Sequence, residues 1–179
     1  MEIMVEIMEK FVATPGNFFV VDGDTINCNL NGQRIAIRLR WIDAPETPKR
    51  TTAEIDSQIL AHWQWGDASK TFLTDLLANQ TLIVQPYSQD FFGRWISDAY
   101  LNNTKLSNNI QSILCENGMC WHFLPFGIYD FPKRRHLNLY CRIIRKGEEA
   151  FRLKKGIWSV PNLLTAREVK ELLTTTSQI

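Results

Sequence analysis

From Phe18 onward the apolar positions follow a strand rhythm. FFVVDGDT is an apolar run that meets a turn, and TINCNL is short and alternating. Asn31-Gly32 is the two-residue signal of a type I′ hairpin, whose central positions both need φ > 0. QRIAIRLRW then alternates. Ile35, Ile37, Leu39 and Trp41 fall on one face, and Arg34, Ala36, Arg38 and Arg40 on the other. IDAPETPKR reads as a loop, because Pro45 and Pro48 lack a ladder donor. TLIVQPYS and RWISDAYL read as two further strands joined by a QDFFG turn.

Helical spacing enters between these strands and after them. Residues 52–65 read as a short helix or lid-like insertion carrying His62, Trp63 and Trp65. Residues 67–78 repeat apolar positions at helical intervals (Ala68, Phe72, Leu73, Leu76, Leu77), with Asp67 as the expected N-cap. A helix is expected over Leu106–Glu116, with Ser107 capping it and Gly118 just past its end. A basic amphipathic helix is expected over 133–149, GIWS closes the core, and a terminal helix follows. Residues 1–14 read as an N-terminal arm, 15–160 as one domain and 161–179 as a C-terminal helical extension. Five strands and about three helices, with the strands early, predict an α+β fold with a small barrel. Element order alone leaves the barrel type open.

Composition narrows this little. The 179 residues suit one domain, and 45% hydrophobic with 22% charged is ordinary for a globular protein. A net charge of +1 excludes a protein that coats nucleic acid by bulk charge, so any phosphate must be met by placed arginines. No apolar run approaches the ~18 residues of a membrane span, and no membrane partner is expected. MEIMVEIMEKF lacks the basic start and small-residue cleavage site of a signal peptide. The chain therefore reads as cytoplasmic, or as secreted or periplasmic if a leader has been removed. Cys28, Cys115, Cys120 and Cys141 are too few for a disulfide scaffold. Cys115, Cys120 and His122 have no matching second half for zinc, and read as buried or free thiols.

The residues that carry chemistry sit where strands end. Asp22 and Asp24 are two apart and project to one side of an extended chain. Asp43 stands at the end of the arginine-bearing strand. Three carboxylates gathered there would repel one another unless a cation sits among them, and hard oxygen ligands suit calcium or magnesium. Alone, Asp-Gly-Asp-Thr is also what a hydrated turn requires. Arg38 and Arg94 could grip one phosphate through paired donors. Arg34 and Arg40 read as solvated. Glu46, just past Pro45, could accept a proton from attacking water if a metal lies beside it; taken alone it reads as a surface residue. Among the aromatics, Phe92 and Trp65 are the expected substrate contacts; Trp63, Phe91, Trp121 and Phe123 read as packing. Lys133, Arg134 and Arg135 read as a solvated helix face.

Taken together, DGDT, then R-x4-D-x-P-E, then a distant G-R resembles the staphylococcal nuclease (thermonuclease) family. The resemblance covers roughly Phe18 to Ser159 and includes FFVVDGDTI, IDAPET, DFFGR and GIWS. It implies an OB-fold five-stranded β-barrel with about three packed helices. It further implies one calcium ion held by Asp24, Asp43 and the main-chain carbonyl of Ala44, with Asp22 in support. Glu46 would be the general base, and Arg38 and Arg94 the phosphate clamps. The implied reaction is hydrolysis of DNA or RNA phosphodiesters, with the 5′-oxygen leaving and 3′-phosphate ends produced. Ala44 stands where some members have threonine, and the 47–66 and 108–132 stretches depart from the short secreted members. The competing expectations are a catalytically silent nuclease-like module that binds nucleic acid or protein, and a plasmid-maintenance protein that processes DNA.

Overall fold

A computed structural model describes residues 9–48, 56–123 and 131–176. It is a mixed α+β fold, consistent with an OB-type domain. Strands β1 (Phe11–Ala13), β2 (Phe18–Asp22), β3 (Thr25–Leu30), β4 (Gln33–Leu39), β6 (Leu82–Gln89) and β7 (Trp95–Leu101) form one six-stranded sheet, ordered β1-β6-β7-β4-β3-β2. The short strand β5 (Ile42–Asp43) pairs with β8 (Trp121–His122) outside it. The sheet curls, with β1 also packing against β3, but among the described residues no ladder joins its two edge strands β1 and β2. The predicted five strands are present, and the described end of the N-terminal arm adds a sixth by pairing with β6.

The β3–β4 hairpin turns through Asn31 (φ 50°) and Gly32 (φ 82°) as its sequence requires. β4 then runs parallel to β7, Ile37 opposite Trp95, which brings the end of the arginine-bearing strand beside the DFFGR turn. Ile26, Ile37, Leu39, Leu82, Val84 and Ala99 from the sheet meet Leu73 and Leu77 from one helix, and Ile110, Leu114, Leu139 and Ile143 from two others.

The helices are α1 (Ser57–Leu77), α2 (Ile110–Glu116), α3 (Arg134–Arg152) and α4 (Ala166–Thr176). The described parts of the two segments expected at 52–65 and 67–78 join in one continuous helix, Ser57–Leu77, while 52–55 lie outside the described residues. Asp56, not Asp67, is its N-cap, accepting from the Gln58 N–H at 2.6 Å. It buries Ile59, His62, Trp63, Gly66, Ser69, Leu73 and Leu77 on one stripe. Gly66 does not break it, since a helix can absorb one glycine for ~1 kcal/mol when packing demands it. α2 is capped by Asn109, whose side chain accepts from the Ser112 N–H, while Ser107 lies in the preceding 3-10 turn (Leu106–Asn108).

Arg40 reverses its expected role. The ladder ends at Leu39 and Trp41 adopts φ 65°, so the strand alternation stops one residue before Arg40. Its guanidinium is buried, donates to both oxygens of the fully buried Asp98 (3.0 and 2.7 Å), and lies between the Trp41 and Tyr87 rings at 3.7 and 3.8 Å. Bidentate pairing and ring stacking compensate a charge that alternation places in solvent.

α4 is docked rather than loose. Val169, with Leu164 and Leu173, packs on Ile59 and Trp63 of α1 in a second apolar cluster.

Candidate active site

The β2–β3 turn presents Asp22 and Asp24. Asp22 Oδ1 accepts the Asp24 N–H at 3.1 Å, and Thr25 Oγ1 donates to Asp24 Oδ1 at 3.1 Å. Burial raises the Asp22 carboxyl above its ordinary value, opposed by hydrogen bonds from Thr25 and by the Arg38 charge. Gly23 is required here by space. A Cβ would stand 2.7 Å from the Cβ atoms of both Ala44 and Ser69, so the turn is wedged between the β5 end and α1.

Asp24 then ties the turn to the second motif. Its Oδ2 accepts the Ala44 N–H at 2.7 Å and is ion-paired to Arg38 Nη1. Arg38 Nη2 reaches Asp43 Oδ1 at 2.6 Å. Two carboxylates from separate chain segments thus converge on one guanidinium, with the Ala44 main chain fixed beside them. The Arg38 guanidinium is the cation this pair holds here, and hard oxygen donors of this kind could also hold a divalent ion. The side chains alone do not complete a cage: among the described residues no group of three or more His, Cys, Asp or Glu side chains could hold a metal. The expected set, two carboxylates and a carbonyl, would leave further positions to water or substrate oxygens.

Glu46 is positioned by helix α1. Its N–H donates to His62 Nε2 at 2.7 Å, and His62 Nδ1 donates to the Leu164 carbonyl at 2.7 Å. The two bonds fix the Nδ1–H tautomer. Burial lowers the His62 pKa below its ordinary value, against the opposing pull of the Leu164 carbonyl and the Glu46 charge. The ring stacks on Trp121 of β8 (6.3 Å, 13°). One turn along the helix, the Gly66 Cα faces the Glu46 main chain so closely that an added Cβ would meet the carbonyl oxygen at 2.0 Å. The Glu46 carboxylate is itself paired through Oε1 with Lys170 Nζ of α4, at 2.6 Å.

Arg94 enters from the β6–β7 turn. Asp90 organises that turn by accepting the Phe92 and Arg94 N–H groups (both 2.9 Å), and its Oδ2 accepts from Arg94 Nε and Nη2 (both 2.8 Å). Burial raises the Asp90 pKa, but the hydrogen bonds from Arg94 outweigh it and hold the carboxyl below its ordinary value. The guanidinium plane is thereby set, 5.6 Å over the exposed Phe92 ring.

Asp22, Asp24, Arg38, Ala44, Pro45, Glu46, Phe92, Arg94 and Lys170 line one cavity of about 330 Å³. Trp65 is half-buried on α1 and does not line it. His62, Gly66 and Lys170 are the residues the sequence reading passed over. His62 stood in a segment read as an insertion, and Lys170 in an extension read as separate. Cys115 and Cys120 are buried with their sulfurs 3.4 Å apart, and all four cysteines are free.

Comparison of the sequence with known proteins places the chain in a family. A model of the family described as staphylococcal nuclease homologue matches residues 36–160, and the chain belongs to that family. The match takes in Arg38, Asp43, Glu46 and Arg94; Asp22 and Asp24 precede it. The chain is 30% identical over 155 residues to a protein named micrococcal nuclease from Shigella flexneri, covering 80% of this chain and 72% of that one. It is 33% identical over 172 residues to an uncharacterised protein of Methanocaldococcus jannaschii, covering 86% and 77%. It is 30% identical over 130 residues to a probable staphylococcal-like nuclease of Oryza sativa subsp. japonica, covering 73% of this chain and 27% of the larger plant protein. These relatives support a nuclease-like function. No helix among the described residues is long and apolar enough to cross a membrane.

Proposed function

We propose that the protein is a calcium-dependent phosphodiesterase that hydrolyses DNA or RNA, leaving 3′-phosphate ends. The observation that carries this reading is that Asp24, Arg38, Glu46 and Arg94 line one cavity, with Asp43 paired to Arg38 behind that lining. Asp24, Asp43 and the Ala44 carbonyl would hold the ion, which when bound supplies charge compensation for the oxyanion that develops on the phosphate.

The chain's own groups do the rest. Glu46, held at its main chain by His62, accepts the proton of the attacking water. Arg94, braced by Asp90, offers a set guanidinium to a phosphoryl oxygen. Arg38 exchanges a carboxylate partner for a second phosphoryl oxygen. Losing one such donor typically costs ~3–4 kcal/mol in the transition state. Phe92, exposed at the cavity rim, supplies a face on which a base can stack, an interaction worth ~1–3 kcal/mol. Residues 161–176 complete the cavity through Lys170, so the extension belongs to the domain in this reading.

The test is Glu46→Gln. Turnover of single-stranded DNA should fall by at least ~100-fold while oligonucleotide binding persists. Full turnover in that variant would remove Glu46 from the mechanism, and no turnover by the parent protein would favour a binding module.

A further inference from the structure

Helix α4 lies beyond the residues that match the family, yet it contributes a charge to the cavity. Two independent contacts seat it. Val169 is buried to 1% exposure against Ile59 and Trp63, with Leu164 and Leu173 flanking it. The Leu164 carbonyl, on the segment entering α4, accepts from the same His62 ring that holds the Glu46 N–H. Glu46 and the entry to α4 are therefore fixed by opposite nitrogens of one buried imidazole. From this base Lys170 extends its ammonium to Glu46 Oε1 at 2.6 Å.

We infer that Lys170 is a substrate-binding residue: a third cation, beside Arg38 and Arg94, that grips a phosphate next to the one being cut. This rests on the proposed action on nucleic acid. Three features support it. The ammonium lines the cavity, and its side chain keeps 57% of its exposure, so a polyanion can reach it. An ammonium carries three donors, so it can keep one on Glu46 and give another to a phosphate. Its helix is anchored by buried apolar side chains. A latch that had to leave the site would expose Val169 and strip the Leu164 carbonyl of its partner, whereas a lysine pivoting on a fixed helix disturbs neither. The Glu46 pairing also orients the carboxylate before substrate arrives.

The experiment compares the full chain with Lys170→Met and Lys170→Arg. Affinity for a fluorescent single-stranded oligonucleotide is measured by anisotropy in EDTA, where no turnover occurs, across a salt series. Cleavage is then followed with calcium. Lys170→Met should weaken binding roughly tenfold, as for one lost charge-assisted contact. It should also make the log–log salt dependence shallower by ~0.7, the share of one phosphate contact on a single strand. Lys170→Arg should restore both, and KM should rise far more than kcat falls. An unchanged affinity and salt slope in Lys170→Met would overturn the inference. So would a rise in kcat, which would make Lys170 an inhibitory latch. Absence of cleavage by the unmodified chain would sink the nuclease reading alone, since the binding series reads Lys170 without turnover.

Discussion

Gly66→Ala separates two opposing effects. In a helix interior alanine is favoured over glycine by ~1 kcal/mol, so propensity alone makes this a stabilising change. The structure gives the opposite sign. The new Cβ would lie 2.0 Å from the Glu46 carbonyl oxygen, 2.5 Å from its carbon and 2.9 Å from the Thr47 nitrogen, whereas ordinary contact begins at 3.4 Å. All three are main-chain atoms, so no rotamer change relieves the clash. To reach ordinary contact the loop must retreat from α1 by about 1.4 Å (3.4 less 2.0), which places the cost near the upper end of the ~1–3 kcal/mol for overpacking. Subtracting the propensity gain leaves a loss of about 2 kcal/mol. The retreat carries Glu46 with it, and a misplacement of about 1 Å can cost ~100-fold in rate. Urea unfolding gives the stability, and turnover of a single-stranded oligonucleotide under folded conditions gives the rate. A variant as stable as its parent, at unchanged m-value and with full turnover, would refute this account of how α1 sets the site.

His62→Phe should leave the Glu46 N–H and the Leu164 carbonyl without their partner, at ~1–3 kcal/mol each, and urea midpoints together with kcat would show both losses. Because burial lowers the His62 pKa, the unfolded chain binds the proton more readily than the folded one. The stability from neutral His62 is therefore full above about pH 6.5 and declines as pH falls below it; a Tm series from pH 7.5 to 5 should be steeper for the parent than for His62→Gln. Arg40→Met should cost ~3–5 kcal/mol by stranding the buried Asp98, while Arg34→Met on the exposed face should stay within ~0.5 kcal/mol; chemical denaturation of the pair distinguishes them.

What was legible in the sequence was the placement that local spacing sets. Asp22 and Asp24 sit two apart at a turn, and Asp43 and Glu46 three apart across a proline; Asp22, Asp24 and Glu46 line one cavity with Arg38, Arg94 and Phe92, and Asp43 pairs with Arg38. The hairpin at Asn31-Gly32 was legible for the same reason, since its backbone angles are a local property. What escaped depends on distant partners. Arg40 is buried because Asp98 waits 58 residues away, which no alternation pattern on its own strand can announce. Gly66 and Asp67 looked like a helix boundary because glycine and aspartate favour ends. In the fold, Gly66 is mid-helix because the Glu46 loop must pass there. Trp65 looked available for stacking, but it is half-buried on α1 and is not among the residues that line the cavity. Lys170 looked like part of a polar terminal helix, and only the docking of Val169 on α1 brings it to Glu46.

The measurement that tests the central claim most directly is cleavage of end-labelled single-stranded DNA and RNA with added divalent metals, with analysis of the product ends. The account predicts cleavage that requires calcium, stops with EDTA, leaves 3′-phosphates and is lost in Glu46→Gln. Intact substrate with every divalent metal tried, or calcium-independent cutting that survives Glu46→Gln, would contradict it.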